Sequence, residues 1–368
     1  MARRDDAAAK ALFYGLFHMQ KSQRIGYIDA LRGFTMFLVV FGHVLLGSFD
    51  IGGYNSVLSS ILLTFRMPMF FFISGYIGYK AIDRWTWGFY KLSMKKKLIV
   101  QIIPAAFFFV VYSLCHNTNP LLFYKTGFGG YWFTFVLLEM FIVYFLTSLI
   151  ACKLKMSWLV DAVLISCSIL GILILTYHRN HSQVDSSLWN VFCLENLTKY
   201  MQFFTLGVLC RKYNQWFIRI ISNDKNKGLV ILLFIVTLFL YFSSTLQLKS
   251  PILFQLNHDI LVRYLGVFMV FSFFHSTRTF WDKDNKMART FLFVGRRTLD
   301  IYLIHFFFLP DLRFMHDWIS KSDIILIQLI FGICLSICII AFSLLISRLI
   351  RSSNLLAYYI LGAKRETS

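Results

Sequence analysis

The chain has 368 residues, of which 58% are hydrophobic and only 15% charged, and it carries a net charge of +19. A soluble protein of this size is about 25% charged, so a water-soluble globular enzyme is excluded. With a mean hydropathy of +0.64, the length is taken up by membrane spans and leaves no room for a large soluble domain. A surplus of positive charge can also mark a nucleic-acid binder, but here it collects in alternate connecting segments, as membrane topology requires, and no nucleic-acid partner is expected.

Residues 1–24 hold five Lys or Arg and a short apolar patch, Ala11–Phe17. They read as a cytosolic tail with an interfacial helix and without a cleavable signal. Apolar runs follow at 28–48, 57–79, 98–115, 131–151, 157–177, 192–210, 228–244, 259–275, 290–309 and 323–347. Their lengths predict an all-α, polytopic membrane protein of about ten transmembrane helices. The transmembrane domain is placed at 25–351 and a cytosolic C-terminal tail at 352–368. With the N-terminus inside, 28 of the 37 Lys and Arg fall on the cytosolic side and eight on the other, with Arg32 inside a span. That asymmetry puts both termini in the cytosol.

The first run, IDALRGFTMFLVVFGHVLLGS, carries Arg32 and His43. Their 11-residue separation is about 20° from a whole number of helical turns, so both project from one stripe, roughly 16 Å apart along the axis. A lone Arg at such a depth can snorkel to the interface and a lone His can pack, but two polar groups on one stripe both need shelter from lipid and point to a site. His43, in the outer half of the membrane, is the candidate base, since imidazole titrates near neutrality. Asp50 lies two turns further on and can help to orient it.

The second run contains FRMPMFFFISGY (65–76). Arg66 reads either as an interfacial anchor or as a substrate-binding residue in an outer vestibule shared with His43, Pro68 fits a first helical turn, and Ser74–Gly75 marks a close-packing point. The segment 80–97 ends in Lys95, Lys96 and Lys97. This cluster, like Arg296 and Arg297 further on, can anchor lipid phosphates or hold the phosphates of a soluble cofactor. Glu139 stands in the middle of YWFTFVLLEMFIVYF (131–145) and predicts a role facing the interior, paired with Arg32 or with a basic residue of another helix, or orienting His43. GRRTLDIYLIHFFFLP (295–310) puts Asp300 and His305 inside the ninth run, too far round the helix from each other to pair. His305 reads as a buried, hydrogen-bonded residue or as a substrate contact. The seven Cys are scattered, with no CxxC and no Cys/His cluster, so neither disulfides nor a metal site are expected.

Taken together, Arg32-x10-His43, MPMFFFISGY (67–76), YWFTFVLLE (131–139) and GRRTLDIYLIH (295–305) resemble, in order, the motifs of membrane acyltransferase family 3. Within it the chain is most similar to the fucose 4-O-acetylase-like sugar O-acyltransferases. The resemblance implies a multi-pass enzyme of the bacterial cytoplasmic membrane that moves an acyl group, usually acetyl, from cytosolic acyl-CoA to a hydroxyl of a cell-surface or lipid-linked glycan. It implies catalysis by His43 and donor binding by Arg32. The reading of the residues themselves adds Glu139 in support of catalysis, Lys95, Lys96, Lys97, Arg296 and Arg297 for the donor, and Arg66, Asp50 and His305 as substrate contacts, without a metal. Arg66 departs from the His that precedes MP in many relatives. The rival reading is a transporter or flippase for a polysaccharide or lipid-linked glycan, against which stands the lack of inverted repeats. Self-association stays open.

Overall fold

The computed structural model describes residues 25–51, 57–180, 186–243, 260–283, 285–316, 319 and 325–363. The expected N-terminal tail, 1–24, lies outside them. Among the described residues the chain is helical and contains no strand. The longer helices are α1 (Gly26–His43), α2 (Val57–Gly78), α3 (Trp87–Lys97), α4 (Ile103–Cys115), α5 (Trp132–Leu154), α6 (Trp158–Asn180), α7 (Leu194–Lys212), α8 (Asn214–Ser222), α9 (Asp224–Ser243), α10 (Val262–Ser276), α11 (Lys286–Arg296), α12 (Thr298–Ile304), α13 (Ile325–Arg351) and α14 (Asn354–Leu361).

Six stretches are long and apolar enough to cross a bilayer: 26–48, 58–78, 87–115, 129–154, 158–178 and 326–351. Of the remaining expected spans, 192–210 and 228–244 form α7 and α9, and 259–275 forms the shorter α10. The ninth run, 290–309, is not one helix. It breaks at Arg297, whose backbone (φ −113°, ψ 15°) leaves the helical region between α11 and α12. The segment 80–97 is likewise not a loop throughout: the Thr86 hydroxyl accepts the Phe89 N–H at 3.2 Å and starts α3, which runs into α4 through a π-helical turn, Leu98–Ile102.

α1 is the central element. About two thirds of its membrane-spanning window is buried, against 28% for those of α6 and α13. The outer helices expose Ile169, Leu173, Ile337 and Leu345, side chains suited to hydrocarbon. With no hydrophobic drive between helices in lipid, small residues set the close crossings. A Cβ on Gly33 or on Gly295 would run into the other helix's backbone, so α1 and α11 cross there in direct contact. Gly75 and Gly207 do the same for α2 and α7. Substituting Gly207 by Val should therefore force α2 from α7, and a fluorescent size-exclusion profile should show a loss of folded protein that Gly88→Ala, which meets nothing within 4 Å, does not cause.

Pro68 is inside α2 rather than at its start. It has no N–H to return to the preceding turn. Arg66 consequently sits nine residues into the helix, well below the surface where the sequence alone puts it.

Candidate active site

A cavity of about 620 Å³ runs between α1, α2, the α3–α4 segment, α5 and α12. From α1 it is lined by Arg32, Met36, Val39 and His43, at spacings of four, three and four residues, which is one helical stripe. The single face expected for Arg32 and His43 is the face that lines this cavity.

Helix direction separates two ends. At the end near the start of α1, Arg32 is joined by Lys80, Lys96 and Lys97. At the other, His43 is joined by Arg66, Tyr200 and Trp132. The middle is apolar, with Val39, Ile73, Leu137 and Phe141. Among the described residues, five cations and no carboxylate line the space. Arg32 is steadied by the Thr298 hydroxyl at 2.9 Å and by Asp29 at 3.6 Å. The Lys97 ammonium lies 3.5 Å from the centre of the Phe141 ring. Burial, then the charges of Arg84, Lys96 and Arg211, pull the Lys80 ammonium below its usual range. Two lining residues, Trp85 through Nε1 and Gln101 through Oε1, present buried polar atoms with no hydrogen-bond partner among the described residues.

His43 is the last residue of α1, and the π-helical turn Val44–Ser48 follows it. Such wider turns are often found at functional sites, and here Gln101 belongs to the second one. The Leu312 N–H donates to Ser48 O at 2.9 Å and fastens the segment after α12 to this turn. Behind His43, away from the cavity, stands His305, with ring centroids 5.3 Å apart. His305 is fully buried. Its Nδ1 meets two backbone carbonyls, Ile301 O at 3.0 Å and Tyr302 O at 2.9 Å. Two acceptors require the proton on Nδ1, which leaves Nε2 a bare acceptor. That Nε2 has no partner among the described residues. Tyr302 donates to Gly130 O at 2.8 Å and Tyr131 to Leu303 O at 3.0 Å, a reciprocal clamp between α12 and the start of α5.

Arg66 is 7% exposed. Its guanidinium lies flat against Gly42, where any Cβ would overlap it. Glycine next to the histidine is thus what admits the cation, and Arg66 Nε carries no hydrogen bond among the described residues. Tyr200, which stands beside it, packs against both Phe71 and Trp132 in a three-ring cluster.

The cavity gathers Arg32, His43, Arg66, Lys96 and Lys97 of the residues singled out in the sequence, and omits the others. Glu139 is on the wrong face: α5 lines the cavity with Thr134, Leu137, Phe141 and Phe145, and a position two residues from Leu137 is turned about 200° away. Asp50 is exposed, with positive φ (56°), beyond the π-turn. Lys95 is exposed on the outer side of α3. Arg296 contacts Asp29 at 3.6 Å, and Arg297 contacts Asp300 at 3.5 Å, both outside the cavity. His305 touches His43 rather than the cavity. Lys80, Trp85, Gln101 and Thr298 were missed. Lys80 counted only as a topogenic charge, and the other three carry no signal of their own in an apolar sequence.

A family model described as an acyltransferase domain, that of acyltransferase family 3, matches residues 25–348. The chain belongs to acyltransferase family 3. The match spans the helices that build the cavity, so this membrane acyltransferase carries Arg32, His43 and Arg66 within the family's own domain, and the transporter reading is not favoured. No curated protein and no solved structure matches the chain.

Proposed function

We propose that the acyltransferase moves an acetyl group from cytosolic acyl-CoA to a hydroxyl of a cell-surface or lipid-linked glycan, with His43 as general base. The observation that carries this reading is the shared cavity, cationic at the Arg32 end, apolar in the middle and imidazole-bearing at the other. Its geometry suits a long donor with phosphates at one end and a reactive group at the other. Arg32, Lys80, Lys96 and Lys97 hold the phosphates by charge-assisted hydrogen bonds. Trp85 Nε1 and Gln101 Oε1 offer a donor and an acceptor to the amides of the pantetheine arm. With both termini in the cytosol, as the basic residues favour, the cationic end opens to the cytosol of a bacterial cytoplasmic membrane and the acceptor comes from the opposite side, where Trp132 supplies an aromatic surface for a sugar.

In the chemical step His43 takes the proton of the acceptor hydroxyl as its oxygen attacks the thioester carbon. The carbonyl oxygen takes up negative charge beside the Arg66 guanidinium. The intermediate collapses by breaking the C–S bond, and the imidazolium returns the proton to the leaving thiolate, giving an ester and free CoA. His305, its ring held by Ile301 O and Tyr302 O and packed against His43, fixes the orientation of the His43 ring as a positioning residue. Glu139, turned away from the cavity, is left out of the step.

The test is transfer of label from acyl-CoA to a glycan acceptor by purified protein. Arg32→Gln should raise the KM for acyl-CoA about tenfold, the equivalent of about 1.4 kcal/mol, and leave kcat nearly unchanged. An unchanged KM would remove Arg32 from the donor site. His305→Phe should lower kcat and shift its pH profile while leaving the donor KM alone, because it acts through His43. A change in protein yield with an unaltered profile would make His305 a packing residue only.

A further inference from the structure

A second cleft, of about 450 Å³, opens on the other side of α12. It lies between α11 and the last turns of α13 and is lined by Arg297, Arg348 and Arg351 together with Phe293, Leu344 and Leu345. Asp300 stands at its back, 4% exposed. Arg351 grips that carboxylate with two bonds, Nε at 2.9 Å and Nη2 at 2.8 Å. Ser347 adds a third at 2.5 Å, and Arg297 approaches at 3.5 Å. The carboxylate is thereby satisfied, while the cleft holds three guanidiniums to this one acid. The cleft keeps two positive charges, and Arg297 and Arg351 still present 35% and 25% of their side chains to solvent.

The rest of the lining is apolar and outward. Phe293 on α11 and Leu345 on α13 are each 52% exposed, and only 28% of the membrane-spanning window of α13 is buried. The cleft is not a branch of the catalytic cavity. That cavity is lined by Thr298 and Tyr302 of α12, whereas Asp300 lies two residues from each and so on the opposite side of the helix.

We propose that this cleft binds an anionic glycerophospholipid, with its phosphate on Arg348, Arg351 and Arg297 and its acyl chains along Phe293, Leu344 and Leu345. Phosphate is the group that planar guanidiniums recognise, and a basic pocket between helices at the end of a span is where an anionic headgroup is placed. A free phosphate ion satisfies only the charge, whereas a lipid also covers the exposed apolar wall. Arg297, which the sequence suggests for donor phosphates, thus lines this cleft instead.

Native mass spectrometry of the full chain with phosphatidylglycerol or phosphatidylcholine tests this. The wild type should retain phosphatidylglycerol about tenfold better than phosphatidylcholine. Arg348→Glu, at an exposed position not engaged by Asp300, should abolish the preference, and Arg348→Lys should keep most of it. Millimolar inorganic phosphate should not displace the lipid. Equal retention of the two lipids, an unaltered preference in Arg348→Glu, or displacement by inorganic phosphate alone would overturn the proposal. Acyl transfer in detergent should be unaffected by Arg348→Glu, so failure here is separable from failure of the proposed chemistry.

Discussion

Replacing His43 by Ala should reduce acyl transfer by a factor of about 10² to 10⁴, the span attributed to a positioned general base, while yield and elution profile stay those of the wild type. The reason is geometric. His43 ends α1 and is only partly buried, so its ring is open to the cavity, and the chain it would leave behind is an apolar wall of Met36 and Val39 that does not depend on imidazole. Binding of acyl-CoA should survive, since the cationic end is three turns away. The measurement is label transferred per molecule of purified protein, with donor affinity read separately by calorimetry. Full transfer by His43→Ala would remove this residue from the chemistry. Loss of donor affinity together with transfer would make it a structural support of the cavity.

Arg66→Gln should lower kcat by about 10² to 10³, the cost of removing one oxyanion donor, with little change in the KM for acyl-CoA. A lone surface anchor would give neither effect. Arg66 is buried beside His43, its Nε has no partner among the described residues, and it lies against Gly42. Gly42→Ala provides the independent check, because a methyl group there must push the guanidinium aside without removing any charge. Both variants should lose kcat with the donor KM kept. If Gly42→Ala is fully active, the placement of this guanidinium is not what the reaction uses.

How much of this was legible in the sequence depended on whether a helix is amphipathic. α1 carries polar residues at a helical spacing within an apolar run, so the stripe shared by Arg32 and His43 follows from periodicity alone. α5 is apolar all round, and such a helix gives no sign of which face looks inward. Glu139 is therefore placed by depth alone, and α5 turns it away from the cavity that the sequence has it face. The break at Arg297 was invisible for a different reason. It follows Gly295, which meets the backbone of Asp29, a contact between residues far apart in the chain. The same holds for Asp300, whose partner Arg351 is 51 residues away, and for the approach of His305 to His43. Arg66 was misjudged in depth because Pro68 suggested a helix start, whereas α2 begins about three turns earlier.

The most direct measurement is a cryo-EM map of the purified protein with a non-hydrolysable acetyl-CoA analogue. Density for the phosphates on Arg32, Lys80, Lys96 and Lys97, with the sulfur end beside His43 and Arg66, is the expected result. A donor seated outside the cavity, at Arg296 and Arg297 for example, or lying within it with its acyl group far from His43, would contradict the central claim.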